Sequence, residues 1–435
     1  MSRVVVIGGG IGGASAARTL ARAGRDVVVV ERGPSLGGLV VGFEVAGTPL
    51  ECFYHYVFPD EHDMRELIAG FGLGHRLEWF PTTVGMLIDG KIWPFTSPVD
   101  LLRFRPLSFP DRLRTGLGSF RLARVREWEP LDTVTAEDWL EGLTGPEARR
   151  VVWEPLLRAK FGQAAGEVPA AWMWRRLQQR QGARRKVGER LGYLRGGFRQ
   201  LFAALESELS GLGVRLMTSA SVDRILFSGG RAAGVAVEGE EIEADAVLFT
   251  GALAALPRLV PTELQDGRWS QIGALGVVCV VVELRRPLSD IYWTNVCDRD
   301  FPFGGIIEHT NLVPPADYQG RHIVYLSRYF LPDDPVAGAP VAETAASWLA
   351  TLRERFELSD DDVLGVHPFK TPYAAPLVTT GHLTRIPPMR THLPGLYINT
   401  TAQIYPQDRG MSEGVRTGRH AAAEMLSDLG VAEVV

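Results

Sequence analysis

The sequence predicts an α/β Rossmann-like domain joined to an α+β domain, in which a mixed or antiparallel sheet is accompanied by a helical lobe. Three observations predict this. A glycine-rich strand–turn–helix unit opens the chain, an arginine-rich stretch with helical patterning occupies its second quarter, and long apolar runs of strand type fill 272–330. At 435 residues there is room for two or three domains, and 46% apolar with 22% charged residues is an ordinary globular balance.

The opening unit reads VVVIGGGIGGASAARTLARAGRDVVVVERG. Residues 4–7 form an apolar strand, and Gly8, Gly10 and Gly13 follow in G-x-G-x-x-G spacing. Gly8 permits a tight turn, Gly10 lets a pyrophosphate approach the backbone, and Gly13 lets the helix pack closely on the strand. Ala14, Ala16, Ala17, Leu20 and Ala21 supply a helix face of mostly small residues. Gly24 ends that helix, residues 27–30 form a second strand, and Glu31 closes it. The Glu31 carboxylate is placed to accept from ribose hydroxyls and to repel a 2′-phosphate. The free N–H groups at the helix start suit a diphosphate. The unit therefore reads as a dinucleotide site.

A second glycine pair, Gly37-Gly38, follows in ERGPSLGGLV. The set Gly8, Gly10, Gly13, Glu31, Gly37 and Gly38 resembles the flavoprotein superfamily of amine oxidases, protoporphyrinogen oxidase, phytoene desaturases and UDP-galactopyranose mutase. The resemblance implies FAD, held in a Rossmann-like domain of glutathione-reductase type, with Gly37-Gly38 passing the diphosphate and flavin. Leu39 stands where many members have arginine, so one phosphate-side contact is either missing or supplied by Arg32. Near the other terminus, LPGLYINTTAQIYPQDRGMSEGVRTGRHAAAEML resembles the superfamily's closing strand, loop and helix. There Asn399 replaces the acid that many relatives use on a ribityl hydroxyl. Gly410 marks a turn, and the resemblance implies that the helix from Met411 aims its N-terminus at the isoalloxazine, where it would favour negative charge. Strand-like runs at 214–217, 221–227, 232–237 and 246–250 fit the same domain, with Val222 against the adenine end. The expected FAD domain is thus discontinuous, 1–85, 190–265 and 385–435. The pieces between are a helical substrate lobe, 86–189, and a sheet-rich substrate domain, 266–384.

On the substrate side, 86–94 reads as a hairpin turned by Asp89-Gly90. Helices are expected at 111–126, 136–142, 146–159 and 171–181, with Thr135 as an N-cap. Arginines at 103, 105, 112, 114, 121, 124 and 126 read as solvated faces, with one or two available to a phosphate or carboxylate. Strands at 272–284, 303–309 and 322–329 suggest a sheet facing the flavin. Four residues stand out as candidates for the chemistry. His55 lies in the aromatic stretch FYHYVFPDEHD. Lys160 is one of only four lysines. Arg328 and Tyr329 end a strand, and Arg328 is suited to hold an anionic group. Tyr405 and Asp408 precede the final helix, in the loop that borders the flavin.

Several classes are set aside. A net charge of −5 argues against general nucleic-acid binding. Cys52, Cys279 and Cys297 are scattered, as are the nine histidines, so neither a disulfide framework nor a metal site is expected. The N-terminus shows no signal peptide. The apolar run 272–284 is shorter than the ~20 residues of a membrane span. Cytoplasm is the expected location, with a membrane-facing apolar patch and the oligomeric state left open. The expected function is hydride transfer from a C–H bond (CH–NH or CH–CH) of a bulky, partly apolar small molecule to flavin N5, with oxygen or another acceptor taking the electrons on. Two alternatives remain. One is a reduced-FAD isomerase resembling UDP-galactopyranose mutase and acting on a nucleotide sugar or glycoside. The other is a non-catalytic FAD-binding scaffold.

Overall fold

The computed structural model describes residues 2–122, 124–183 and 190–430. A five-stranded, all-parallel sheet is assembled from distant pieces of chain. Its order is Leu396–Ile398, Ala246–Phe249, Arg3–Ile7, Asp26–Val30 and Arg215–Met217. Both faces are covered, which is why these strands are nearly continuous runs of valine and leucine rather than alternating ones. Val4 and Val6 face a core that includes the helix Ile11–Arg22, while Val5 and Ile7 face a second core. That second core is closed by an antiparallel three-stranded sheet, Val222–Ser228, Arg231–Val237 and Glu240–Glu243.

The first and last long helices, Ile11–Arg22 and Met411–Asp428, lie against each other. Glycines permit the contact: a Cβ on Gly414 would fall 2.6 Å from Ile11 Cγ2, and one on Gly418 would fall 2.2 Å from the Gly12 carbonyl oxygen.

The second sheet has seven strands in the order Val363–Pro376, Ala274–Leu284, His322–Phe330, Gly305–Glu308, Trp293–Val296, Val84–Ile88 and Lys91–Pro94. It is mixed: Trp293–Val296 and Val84–Ile88 run parallel, and every other neighbour is antiparallel. The hairpin around Asp89-Gly90 therefore joins this sheet rather than the helical stretch that follows it. One face carries Val278, Val280, Val282 and Leu326 against Trp348 and Leu352 of the helix Val341–Phe356.

Helical elements Pro98–Arg103, Phe109–Leu122, Ala136–Thr144, Glu154–Phe161 and Ala170–Ala183 form the lobe above the opposite face. The expected helix at 146–159 is interrupted by a π-helical turn, Arg149–Trp153. The helix expected at 111–126 runs over Phe109–Leu122, and residue 123 lies outside the described residues. No described helix is long and apolar enough to cross a membrane.

Candidate active site

A single cleft of about 1430 Å³ runs between the two sheets and under the helical lobe. One end is made of backbone. Gly8 turns at φ 106° and donates its N–H to Val30 O at 2.9 Å. A Cβ on Gly13 would sit 2.0 Å from the Gly8 carbonyl oxygen, so only glycine lets the helix start this close to the strand. Gly37 donates to Gly9 O at 2.9 Å, and a Cβ on Gly38 would lie 3.1 Å from Gly10 Cα. The two glycine loops touch through bare backbone. At Gly10 itself the nearest atom to an added Cβ is 4.0 Å away, so a side chain there would project into the cleft. Neither the Gly10 nor the Gly410 cap residue has a side-chain hydrogen bond; the first N–H groups of the helix from Ile11 are available to a ligand, while in the helix from Met411 the Glu413 carboxylate accepts its own N–H.

Glu31 accepts N–H groups from Gly9 and Gly33, each at 2.6 Å, and lines the cleft beside Arg32. Leu39, Asn399, Gly410 and Met411 also line it. Asn399 is buried, its N–H donates to Phe249 O at 2.9 Å, and its Nδ2 comes within 3.2 Å of where a Gly12 Cβ would be. Val222 begins the three-stranded sheet and packs on the second core. Thr250, not singled out by the sequence, fixes the turn by donating to the Ile7 or Gly8 carbonyl, both at 2.9 Å.

The other end is made of side chains. Asp408 is its centre: it accepts from Lys160 Nζ at 2.6 and 2.8 Å and from Arg176 at 2.6 Å. Burial alone would raise the Asp408 carboxyl, but Lys160, Arg176 and Arg409 hold it well below the usual carboxylate range. Burial pulls the Lys160 ammonium down to about 7 against the opposing pull of Asp408. That ammonium also sits 4.5 Å from the Trp172 ring centroid. Arg409 donates to the Tyr329 hydroxyl at 3.2 Å and to the Ala374 carbonyl, both neutral acceptors. The Tyr329 hydroxyl is 3.5 Å from that of Tyr54.

His55 lines the same region. Its Nδ1 lies 2.6 Å from Phe53 O; since a carbonyl only accepts, Nδ1 carries the proton and Nε2 keeps its lone pair. Burial, with a contribution from Arg409, lowers His55 to about 4, so it is neutral at pH 7. Glu61 is pushed up to about 8 by burial and the nearby Glu413, and it accepts the Phe58 N–H at 3.0 Å.

Arg328 requires a correction. Along His322–Phe330, Ile323 and Tyr325 share the first core, and Ser327 and Tyr329 line the cleft. Val324, Leu326 and Phe330 face the helix-covered side. Strand alternation puts Arg328 on that second side with them, where it pairs with Asp334 at 2.7 Å. It does not hold an anion in the cleft. Arg176 and Arg409, which sequence reasoning missed, line the cleft with Lys160, as do Arg32, Arg180 and Lys370. A signal existed for Arg176: it lies four residues after Trp172, on the same helix face.

The chain matches the family described as flavin containing amine oxidoreductase over residues 11–426. A hydroxyneurosporene desaturase from Cereibacter sphaeroides is 26% identical, over 98% of both chains. A 4,4′-diapolycopen-4-al dehydrogenase from Metabacillus indicus is 37% identical over 76 residues, 18% of this chain and 16% of that one. Among solved structures, a putative protoporphyrinogen oxidase from Exiguobacterium sp. superposes with a TM-score of 0.80 at 18% identity, covering 98% of this chain and 99% of that one. A reduced UDP-galactopyranose mutase superposes at 0.74 with 15% identity, over 98% and 94%. Those two likenesses establish the fold.

The residues present fit FAD. The cradle at Gly10 is a space that a side chain would fill, two helix starts with glycine at the N-cap face the cleft, and Glu31 stands at the strand end. The cleft also exceeds the roughly 300–1,000 Å³ of a pocket for one small ligand, leaving volume beyond the cofactor.

Proposed function

We propose, from the premise that the chain belongs to the flavin containing amine oxidoreductases and binds FAD, that it removes a hydride from a C–H bond of a bulky, partly apolar small molecule bearing an acidic group. The observation that carries this reading is the continuity of the cleft: the glycine cradle opens directly onto an aromatic wall with a cationic centre. Bound FAD supplies a two-electron acceptor that takes the hydride.

The chain's own residues do the rest. Tyr54, Tyr56, Trp172 and Tyr329 give the substrate an apolar surface and exclude water. Arg409, whose guanidinium hydrogen-bonds to neutral acceptors, and Arg176 hold the substrate's carboxylate or phosphate. His55, neutral with Nε2 as acceptor, takes the proton released from the N–H or C–H next to the oxidised carbon. The substrate thus loses one hydride and one proton, and oxygen or another acceptor takes the two electrons on. The cationic centre disfavours a protonated amine, so an amine substrate would enter neutral. On this reading the cofactor belongs to 1–85, 190–265 and 385–435, and the substrate to the pieces between.

The test is anaerobic mixing of the FAD-loaded enzyme with candidate acids that carry an oxidisable C–H. Loss of the oxidised flavin's visible band, with a product lighter by two hydrogens, is the expected result. An isomer of the substrate, formed with no acceptor consumed, would sink the redox reading in favour of the mutase-like one.

A further inference from the structure

Among the described residues, nine large apolar side chains are exposed, and five of them fall between residues 99 and 117. Phe109, Leu113 and Leu117 recur every fourth residue along Phe109–Leu122, so they form one stripe, with exposures of 58, 46 and 62%. Val99 and Leu102, on the helix Pro98–Arg103, are about half exposed as well. The opposite face of the longer helix is buried through Thr115 and Leu122. A Cβ on Gly118 would lie 2.9 Å from the Leu143 carbonyl oxygen, so that face is held against the helix Ala136–Thr144. The apolar stripe is therefore the outer face of a fixed helix, and the fold gives it no partner among the described residues.

The same stretch of chain is basic. Residues 98–126 contain seven arginines and two aspartates, a net of +5 in a chain whose total is −5. Arg114 and Arg121 are exposed, and neither makes an ion pair among the described residues. Pro98, Leu101, Thr115 and Gly116, from the same two helices, line the cleft. One short stretch of chain thus combines exposed apolar residues, unpaired positive charge and the wall of the active-site cleft.

We propose that the helices Pro98–Arg103 and Phe109–Leu122 form a docking surface for an anionic lipid membrane, seated so that an apolar substrate reaches the cleft without crossing water. An amphipathic helix with leucine and phenylalanine on one side and arginine beside them is the pattern that lies in a lipid interface. A second copy of the chain fits less well, because an isologous contact would set one basic segment, net +5 over residues 98–126, against another. The binding is read without turnover, so its failure leaves the redox reading untouched.

The experiment is co-sedimentation of the FAD-loaded protein with two vesicle types, phosphatidylcholine alone and phosphatidylcholine mixed with phosphatidylglycerol. At low salt the protein should pellet with the mixed vesicles several-fold more than with the neutral ones, and added salt should release it. The double variant Leu113→Glu/Leu117→Glu should weaken binding about tenfold while keeping its FAD absorbance. Arg114→Gln/Arg121→Gln should weaken binding to mixed vesicles alone. Wild-type protein that stays in the supernatant with mixed vesicles overturns the proposal, as does undiminished binding of the Leu113/Leu117 variant. A wild-type dimer that becomes monomeric in that variant, with no vesicle binding by either, assigns the surface to a second copy instead.

Discussion

The two ends of the cleft are built by different means. The nucleotide end comes from backbone, mostly in the first 42 residues, and its side chains matter chiefly by being absent. The reacting end brings together side chains from around residues 55, 160, 176, 329 and 409, two of which, Lys160 and Arg176, share the partly buried Asp408 carboxylate. A site made of bare backbone tolerates no Cβ but needs little else. A site made of converging charges depends on how each charge is compensated.

Substitutions can break or sharpen that contrast, and the largest effect is expected at the backbone end. Gly10→Val should abolish FAD retention, read as flavin absorbance per protein, because the side chain fills the space the diphosphate needs. A variant with stoichiometric FAD would show that the cradle lies elsewhere. Asp408→Asn tests the other end. It leaves Lys160 and Arg176 without their common counter-charge and should cost about 3 kcal/mol, read in the denaturation midpoint. An unchanged midpoint would mean that the carboxylate is not the organiser of that end.

His55→Ala should lower turnover about 100-fold with FAD still bound, the lower range for a lost acid–base group. Because its value in the fold is about 4, the wild-type rate should not lose His55 as a base until the pH falls well below 6. Turnover near wild type would reduce His55 to packing. Lys160 predicts a pH effect of definite sign. With a value of about 7, it is charged below that pH and neutral above it, so KM for an anionic substrate should rise as the pH passes 7. Lys160→Met should give a KM that is about tenfold higher and independent of pH in this range. If the wild-type rise persists in the variant, another group titrates. The smallest effect belongs to Arg328→Ala, which should change KM less than about twofold and stability by about 1 kcal/mol or less, as for a partly exposed ion pair. A large KM change would overturn the strand-face assignment.

Much of the scaffold was legible in the sequence for local reasons. Glycine spacing, valine runs and the Asp-Gly turn each have a nearest-neighbour meaning, and the first and last segments met the structure as strand, turn and helix. The long strand Val363–Pro376 was not legible. Pro368 and Pro372 interrupt its strand signal, and the structure accommodates them by placing it at the sheet edge. The hairpin Gly42–Val45 and Thr48–Glu51, and the pairing of Leu77–Pro81 with Arg190–Leu194, were not singled out either. The second of these joins segments more than a hundred residues apart, and no local pattern announces such a pairing.

The sequence by itself determined the dinucleotide end, because backbone geometry there is dictated by which residues lack a side chain. Only the tertiary structure decided the reacting end. Whether an arginine meets substrate or a neighbouring aspartate depends on which face of its element it occupies and what packs against that face. Arg328 and Tyr329 are adjacent in sequence, yet the alternation of one strand sends the tyrosine to the cleft and the arginine to the opposite side.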